Sequence, residues 1–298
     1  MGRGTAAIFG ILRGTQTRKL TGSVTTNMEA PTQGRLTPPA RIHILMARDA
    51  QTAVVIRRGP TRWTALIGWN RKRDTFEVGQ WFNARIFDRR SDLSPDGRFL
   101  IYFALNGKWK SEVKGAYTAI SRAPYLKAET LLAKGDTWHG GGLFVNEKDY
   151  WLNDGYGHKV VRDESQARRT KTYPWPEFPP IGHTNLYEVR LQRDGWQRMN
   201  EGWSGKGAIV YFEKPIGPRW TLRKRLTGTT ERHELVHVST GRTMPQPSWQ
   251  WADVDGKRLV WADAGKLYAS GLDADGLRDV KLLHDFNPYQ FEPLAAPY

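Results

Sequence analysis

Two stretches far apart in the chain share one pattern. Ser94-Pro95-Asp96-Gly97-Arg98 leads into Phe99-Leu100-Ile101-Tyr102-Phe103, and Asp253-Val254-Asp255-Gly256-Lys257 leads into Arg258-Leu259-Val260-Trp261. In the first, Pro presets φ and Gly tolerates positive φ, and the apolar, β-branched and aromatic run that follows suits a buried strand. A repeated hairpin of this kind constrains the fold strongly, because one such unit cannot bury its own faces and must stack on copies of itself.

The repeat extends along the chain. Apolar second strands begin at Val54, Leu100, Tyr150, Ile209 and Leu259, with starts 46, 50, 59 and 50 residues apart. Each is followed by a third strand with an aromatic residue in register: Trp63, Tyr117, Tyr187, Trp220 and Tyr268. Fourth strands are expected at 75–80, 129–134, 196–201, 232–238 and 279–286, and first strands at 42–48, 84–94, 140–146, 201–205 and 248–254. Short strands at this spacing, bounded by Gly, Pro, Asn and Asp and without a long helical pattern, predict an all-β fold. The expected architecture is a single β-propeller of five four-stranded blades over residues 41–298, with six blades as the alternative if the long third unit hides another.

The turn and strand at Ser94–Ala104 resemble the TolB-type propeller repeat, which is related to WD-repeat blades; Asp253–Gly256 resembles it in weaker form, and the other units match by position only. The resemblance implies a fold and a binding or accessory role. It names no specific activity.

Residues 1–40 stand apart. They are rich in Gly, Thr, Pro and Arg, lack periodicity and end in Thr37-Pro38-Pro39, so a disordered basic leader is expected, with Met28 as an alternative start. The apolar patch Ala6–Leu12 is interrupted by Gly10 and ended by Arg13, which falls short of a secretory signal, and Ala6 stands where a myristoylation motif wants Ser or Thr. No run approaches the roughly 18 apolar residues of a membrane span, so no membrane association is expected. The absence of Cys among the 298 residues excludes a disulfide framework and thiolate metal sites. A cytoplasmic monomer is the expectation, with secretion as the alternative.

Catalytic signatures are missing. The sequence has no Gly-x-Ser-x-Gly elbow, phosphate-binding Gly loop or His-Glu-x-x-His motif. His139-Gly140-Gly141-Gly142 has no nucleophile elbow to serve. His233 and His237, if on a strand, share a face but lie about 13 Å apart, too far for one ion. Asp92, Asp253 and Asp255 could supply the carboxylate pair of a five-bladed glycosidase, though turn hydrogen bonding explains them as well. No catalytic residue, metal or cofactor is assigned.

A binding constellation is easier to assemble. The loops leading into the first strands carry Trp81, Trp138, Trp203 and Trp249 or Trp251 at comparable positions, with Arg85, Arg89, Arg90 and His139 beside them. Convergent loops would gather these at one channel mouth as an aromatic and basic rim able to stack rings or anchor a peptide. The competing role for these indoles is packing between blades. A second candidate is the long insertion 155–183, where Arg168, Arg169 and Lys171 adjoin Tyr173 and Trp175. Long loops in compact domains often carry function.

The net charge of +15 suits an anionic partner, but it is dispersed, and the insertion holds five basic against three acidic residues. The expected function is therefore a non-enzymatic binding or scaffold propeller for a protein partner. A small ligand or carbohydrate is possible on the same rim. A carbohydrate-active hydrolase or lyase is the first alternative and a nucleic-acid binder the second.

Overall fold

The structure, a computed structural model, describes residues 37–60, 62–178, 186–199 and 208–298. The expected leader lies mostly outside them, as does the first strand assigned to 201–205. Chain packing is established by Ala40, which is fully buried and donates its N–H to Asn287 Oδ1 at 2.9 Å.

The described residues form five sheets, each dominated by antiparallel hairpins. The first contains β1 (Arg41–Met46), β2 (Thr52–Arg58), β3 (Thr64–Asn70) and β4 (Thr75–Phe82), paired in sequence order. In the second, β5 (Arg85–Ile86) and β6 (Asp92–Leu93) both pair with β7 (Phe99–Leu105), followed by β8 (Ala116–Arg122) and β9 (Ala128–Ala133). A 3-10 turn at Asp88–Arg90 breaks the inner strand between β5 and β6. The third sheet starts with β10 (Gly142–Phe144) and β11 (Asp149–Leu152).

The expectation fails in the third unit. The insertion 155–183 supplies two strands: β12 (Lys159–Asp163) joins the outer edge of the second sheet against β9, and β13 (Arg168–Thr170) pairs parallel with β11. The segment expected as the third strand, with Tyr187 in register, is instead α1 (Leu186–Arg193). Its buried positions Leu186, Tyr187, Val189, Arg190 and Leu191 do not alternate, and Leu, Glu, Gln and Arg favour helix over strand. Among the described residues this blade has three strands instead of four.

Gln197–Arg198, expected to end the third unit, forms β14 at the start of the fourth sheet. It continues through β15 (Ile209–Ile216), β16 (Trp220–Thr227), β17 (Thr230–His237) and β18 (Thr243–Gln246). The fifth sheet is β19 (Trp249–Asp255), β20 (Arg258–Asp263), β21 (Lys266–Leu272) and β22 (Leu277–Asp285).

Packing closes the sheets into a propeller. β1 lies against β6 on one side and β19 on the other, β6 against β10, α1 against β10 and β14, and β17 against β19. Closure is reinforced at the seam, where Ile42 N–H donates to Gln250 Oε1 at 3.2 Å and Arg57 donates to the Phe286 carbonyl at 3.1 Å. β2, β3, β7 and β8 are buried on both faces, as blades flanked by blades must be. β16 alternates along its length and β15 and β17 over part of theirs, burying Val210, Phe212, Leu222 and Leu235 while the opposite face holds Arg223 between Glu213 and Glu234.

The turn that set the register is architectural. Gly97 N–H donates to the Ser94 carbonyl at 2.8 Å, Ser94 Oγ donates to Asp96 Oδ1 at 2.6 Å, and Gly97 has φ of +77°. No described helix is long and apolar enough to cross a membrane.

Candidate binding site at the channel mouth

Because the first strands of the blades converge, the middle of the ring is where side chains from distant sequence positions meet. Here that space is taken by α1. Arg190 donates to the carbonyls of Asp88, at 3.1 Å, and Ser91, and to His43 Nε2 on β1 at 2.9 Å. Arg193 grips Asp92 of β6 through both terminal nitrogens, at 2.6 and 2.9 Å, and donates to the Phe144 carbonyl of β10 at 3.0 Å. Tyr187 donates its hydroxyl to Glu231 of β17 at 3.0 Å. One helix is thus tied to four blades, and it divides the channel into two cavities with Tyr187 in the wall of both.

Beneath Tyr187 lies a buried ionic hub. Glu231 accepts from Lys224 Nζ at 2.7 Å, His233 Nε2 at 2.9 Å and Arg89 at 3.1 Å. Burial alone would raise its pKa, but Lys224, His233 and Arg89 outweigh that and hold the carboxyl well below the usual range. Burial lowers the His43 pKa to about 4, so the ring is neutral and can accept the Arg190 N–H. Tyr187 is pushed above its ordinary value, first by burial and then by Glu231.

The lower cavity, about 720 Å³, opens at the β1–β2 and β19–β20 turns. Each basic group lining it is engaged by the protein: Arg71 pairs with Asp255 at 2.6 Å, Arg193 with Asp92, Lys214 with Asp253 at 2.9 Å, Lys224 with Glu231 and Arg258 with Asp74, while Arg48 and Arg190 donate to carbonyls. The three acids considered for glycosidase chemistry are thus all ion-paired. Asp92 also accepts the Phe144 N–H at 2.7 Å and Asp253 the Val254 N–H at 2.7 Å, so each has a structural role.

The upper cavity, about 790 Å³, opens where the chain runs into the first strands. Arg41, Arg58, Arg85, Arg89 and Arg90 line it together with Phe87. Arg85 and Arg90 lie over the Phe87 ring at 4.4 and 5.2 Å. Arg90 also donates to the carbonyls of Thr137 and His139 at 2.7 and 3.1 Å, tying the cavity to the loop carrying Trp138. Arg89 is held by Glu231 and stacks on Tyr187 at 4.9 Å.

The expected tryptophan rim does not assemble among the described residues. Trp249 and Trp251 are 5% and 3% exposed; Trp249 stacks on Trp261 at 4.8 Å, and Trp251 packs in the core shared by the first and fifth blades. Trp81 is half-buried against Arg57 and Phe291. These three are packing wedges, since flat indoles fill the space between splayed sheets. Trp203 lies outside the described residues. Trp138 is 64% exposed, and His139 is set edge-on to Tyr156 at 5.2 Å. Trp109 and Tyr156, which the sequence reading passed over, are 56% and 81% exposed on neighbouring loops.

The insertion also proves more structural than expected. Trp175 is buried with Leu143, Leu186 and Val189 and presents no face to a partner, and the half-buried Tyr173 packs beside it at 5.8 Å. Arg168 and Arg169 are engaged with Asp149 and Asp154 while remaining accessible, and Lys171 is exposed. The aromatics of this loop back α1 and the third sheet, replacing the missing strand with side-chain packing.

No protein-family model matches the chain, and no curated protein sequence does.

Proposed function

We propose that this protein is a binding β-propeller that engages a partner on its upper face, around the arginine-lined cavity. The observation that carries this reading is the asymmetry of the two ends. Every basic side chain of the lower cavity donates to a carboxylate or carbonyl of the protein, whereas among the described residues Arg41, Arg58 and Arg85 of the upper cavity donate to neither, and the exposed Trp109, Trp138 and Tyr156 lie on loops at that end. Arginine and aromatic side chains are the residues that dominate binding energy at protein interfaces. The TolB-type likeness of Ser94–Ala104 supports a binding role of this sort, and the plug formed by α1 suits recognition at a mouth better than passage through a channel.

Affinity capture tests the reading. The partner set held by the intact chain should be lost with Trp138→Ala/Tyr156→Ala on the upper face and retained with Lys257→Glu, an exposed change in the lower β19–β20 turn. Loss in the lower-face variant with retention in the upper-face variant would place the interface elsewhere.

A further inference from the structure

The register of the first hairpin puts Arg41 of β1 directly opposite Arg58 of β2. Like charges facing each other across a strand pair destabilise a sheet, so this arrangement works against folding unless something compensates it. Arg85, at the start of β5, lines the same cavity. Among the described residues, none of the three side chains donates to a carboxylate or a carbonyl; Arg85 has only the Phe87 face. The other two arginines of the cavity are already engaged, Arg89 by Glu231 and Arg90 by the Thr137 and His139 carbonyls. The lower cavity shows no comparable group: there even Arg48, which lacks an ion pair, donates to the carbonyls of Phe144 and Val145.

We propose that Arg41, Arg58 and Arg85 form a binding site for a phosphoryl group at the upper mouth. The proposal names the ligand chemistry of the binding face assigned above and rests on that reading for its biological setting. Three forked guanidiniums supply more charge and more N–H donors than one carboxylate can satisfy. A phosphate monoester brings nearly two negative charges and three terminal oxygens, which match that supply. A cavity of about 790 Å³, with Tyr187 and Glu188 of α1 in its lining, has room for a compact anionic group. The Arg58 guanidinium is shifted below its ordinary value by burial, and Arg85 and Arg41 add to this while Asp88 opposes it. Asp88 spends one oxygen on the Arg89 backbone N–H at 2.7 Å.

The test uses thermal unfolding of the full chain, with inorganic phosphate, a phosphoserine peptide, its unphosphorylated twin and a single-stranded oligonucleotide as probes. Without ligand, Arg58→Gln should melt about 1–3 °C higher than the wild type, because it removes the facing like charge. Phosphate should raise the wild-type Tm, and its apparent affinity should fall at least tenfold in Arg58→Gln and in Arg41→Gln. A shift with inorganic phosphate points to a free phosphoryl ligand; a shift with only the phosphorylated peptide points to a peptide-borne one. A lower melting temperature for Arg58→Gln without ligand, or an equal phosphate shift in wild type and variants, would overturn the site. So would binding confined to a single-stranded oligonucleotide, which offers phosphodiesters alone. Trp138→Ala/Tyr156→Ala should retain the phosphate shift, so loss of the partner surface and loss of the anion site are separately visible.

Discussion

Replacing His43 with Gln should remove a defined part of the protein's acid sensitivity. His43 is enclosed on β1, its Nε2 accepts from Arg190 at 2.9 Å, and its ring meets Tyr187 edge-on. Burial lowers its pKa from 6.5 to about 4, with Arg190 and Lys224 acting in the same direction and Asp88 and Glu231 against it. Protonation would turn Nε2 into a donor facing a guanidinium. The unfolded chain binds this proton at higher pH than the folded one does, so the stabilisation is complete above pH 6.5 and lost as pH falls towards 4. The whole shift corresponds to about 3 kcal/mol, of which about 2 kcal/mol is lost between about pH 7.5 and about pH 5.

The Gln side chain keeps an acceptor for Arg190 and does not titrate. Urea unfolding of wild type and His43→Gln at those two pH values should show the wild type losing about 2 kcal/mol more. His158, His233 and His284, whose pKa values burial also lowers, remain in both proteins and cancel from the comparison. Equal losses, or a wild type that gains stability in acid, would refute the account of the buried pair.

Two further perturbations probe the plug and the repeat. Arg193→Ala leaves the Asp92 carboxylate buried without its cation, and should cost about 3–5 kcal/mol in urea unfolding and hasten proteolysis within 186–199; an unchanged midpoint would mean that α1 is held by other contacts. Gly97→Ala places a Cβ at φ of +77° beside Thr52 Oγ1 and should cost about 1–2 kcal/mol, measured the same way, while leaving upper-face capture intact.

Much of the scaffold was legible because its signals are local. The turn at Ser94–Gly97 and the apolar strands beginning at Val54, Leu100, Tyr150, Ile209 and Leu259 fall in β2, β7, β11, β15 and β20. The mouth was legible only in part. Arg85, Arg89 and Arg90 line the upper cavity as expected from their place before the second blade. The Trp positions were ambiguous because an indole in a short loop suits a rim and an inter-sheet wedge alike. Arg41 and Arg58 were missed, since neither stands out until the hairpin register sets them face to face.

The sequence by itself determined where the apolar second strand of each unit would lie and where the turns at Ser94–Gly97 and Asp253–Gly256 would fall. Turn residues and strand composition act over a few positions and need no distant partner. Tertiary structure decided the fate of residues 186–193, which carry an aromatic in strand register yet fold as a helix because its side chains find partners on four blades at once. It also decided which charges are spent and which are available. Ion pairs such as Arg71–Asp255 join residues far apart in the chain, and only closure of the ring brings them within bonding distance.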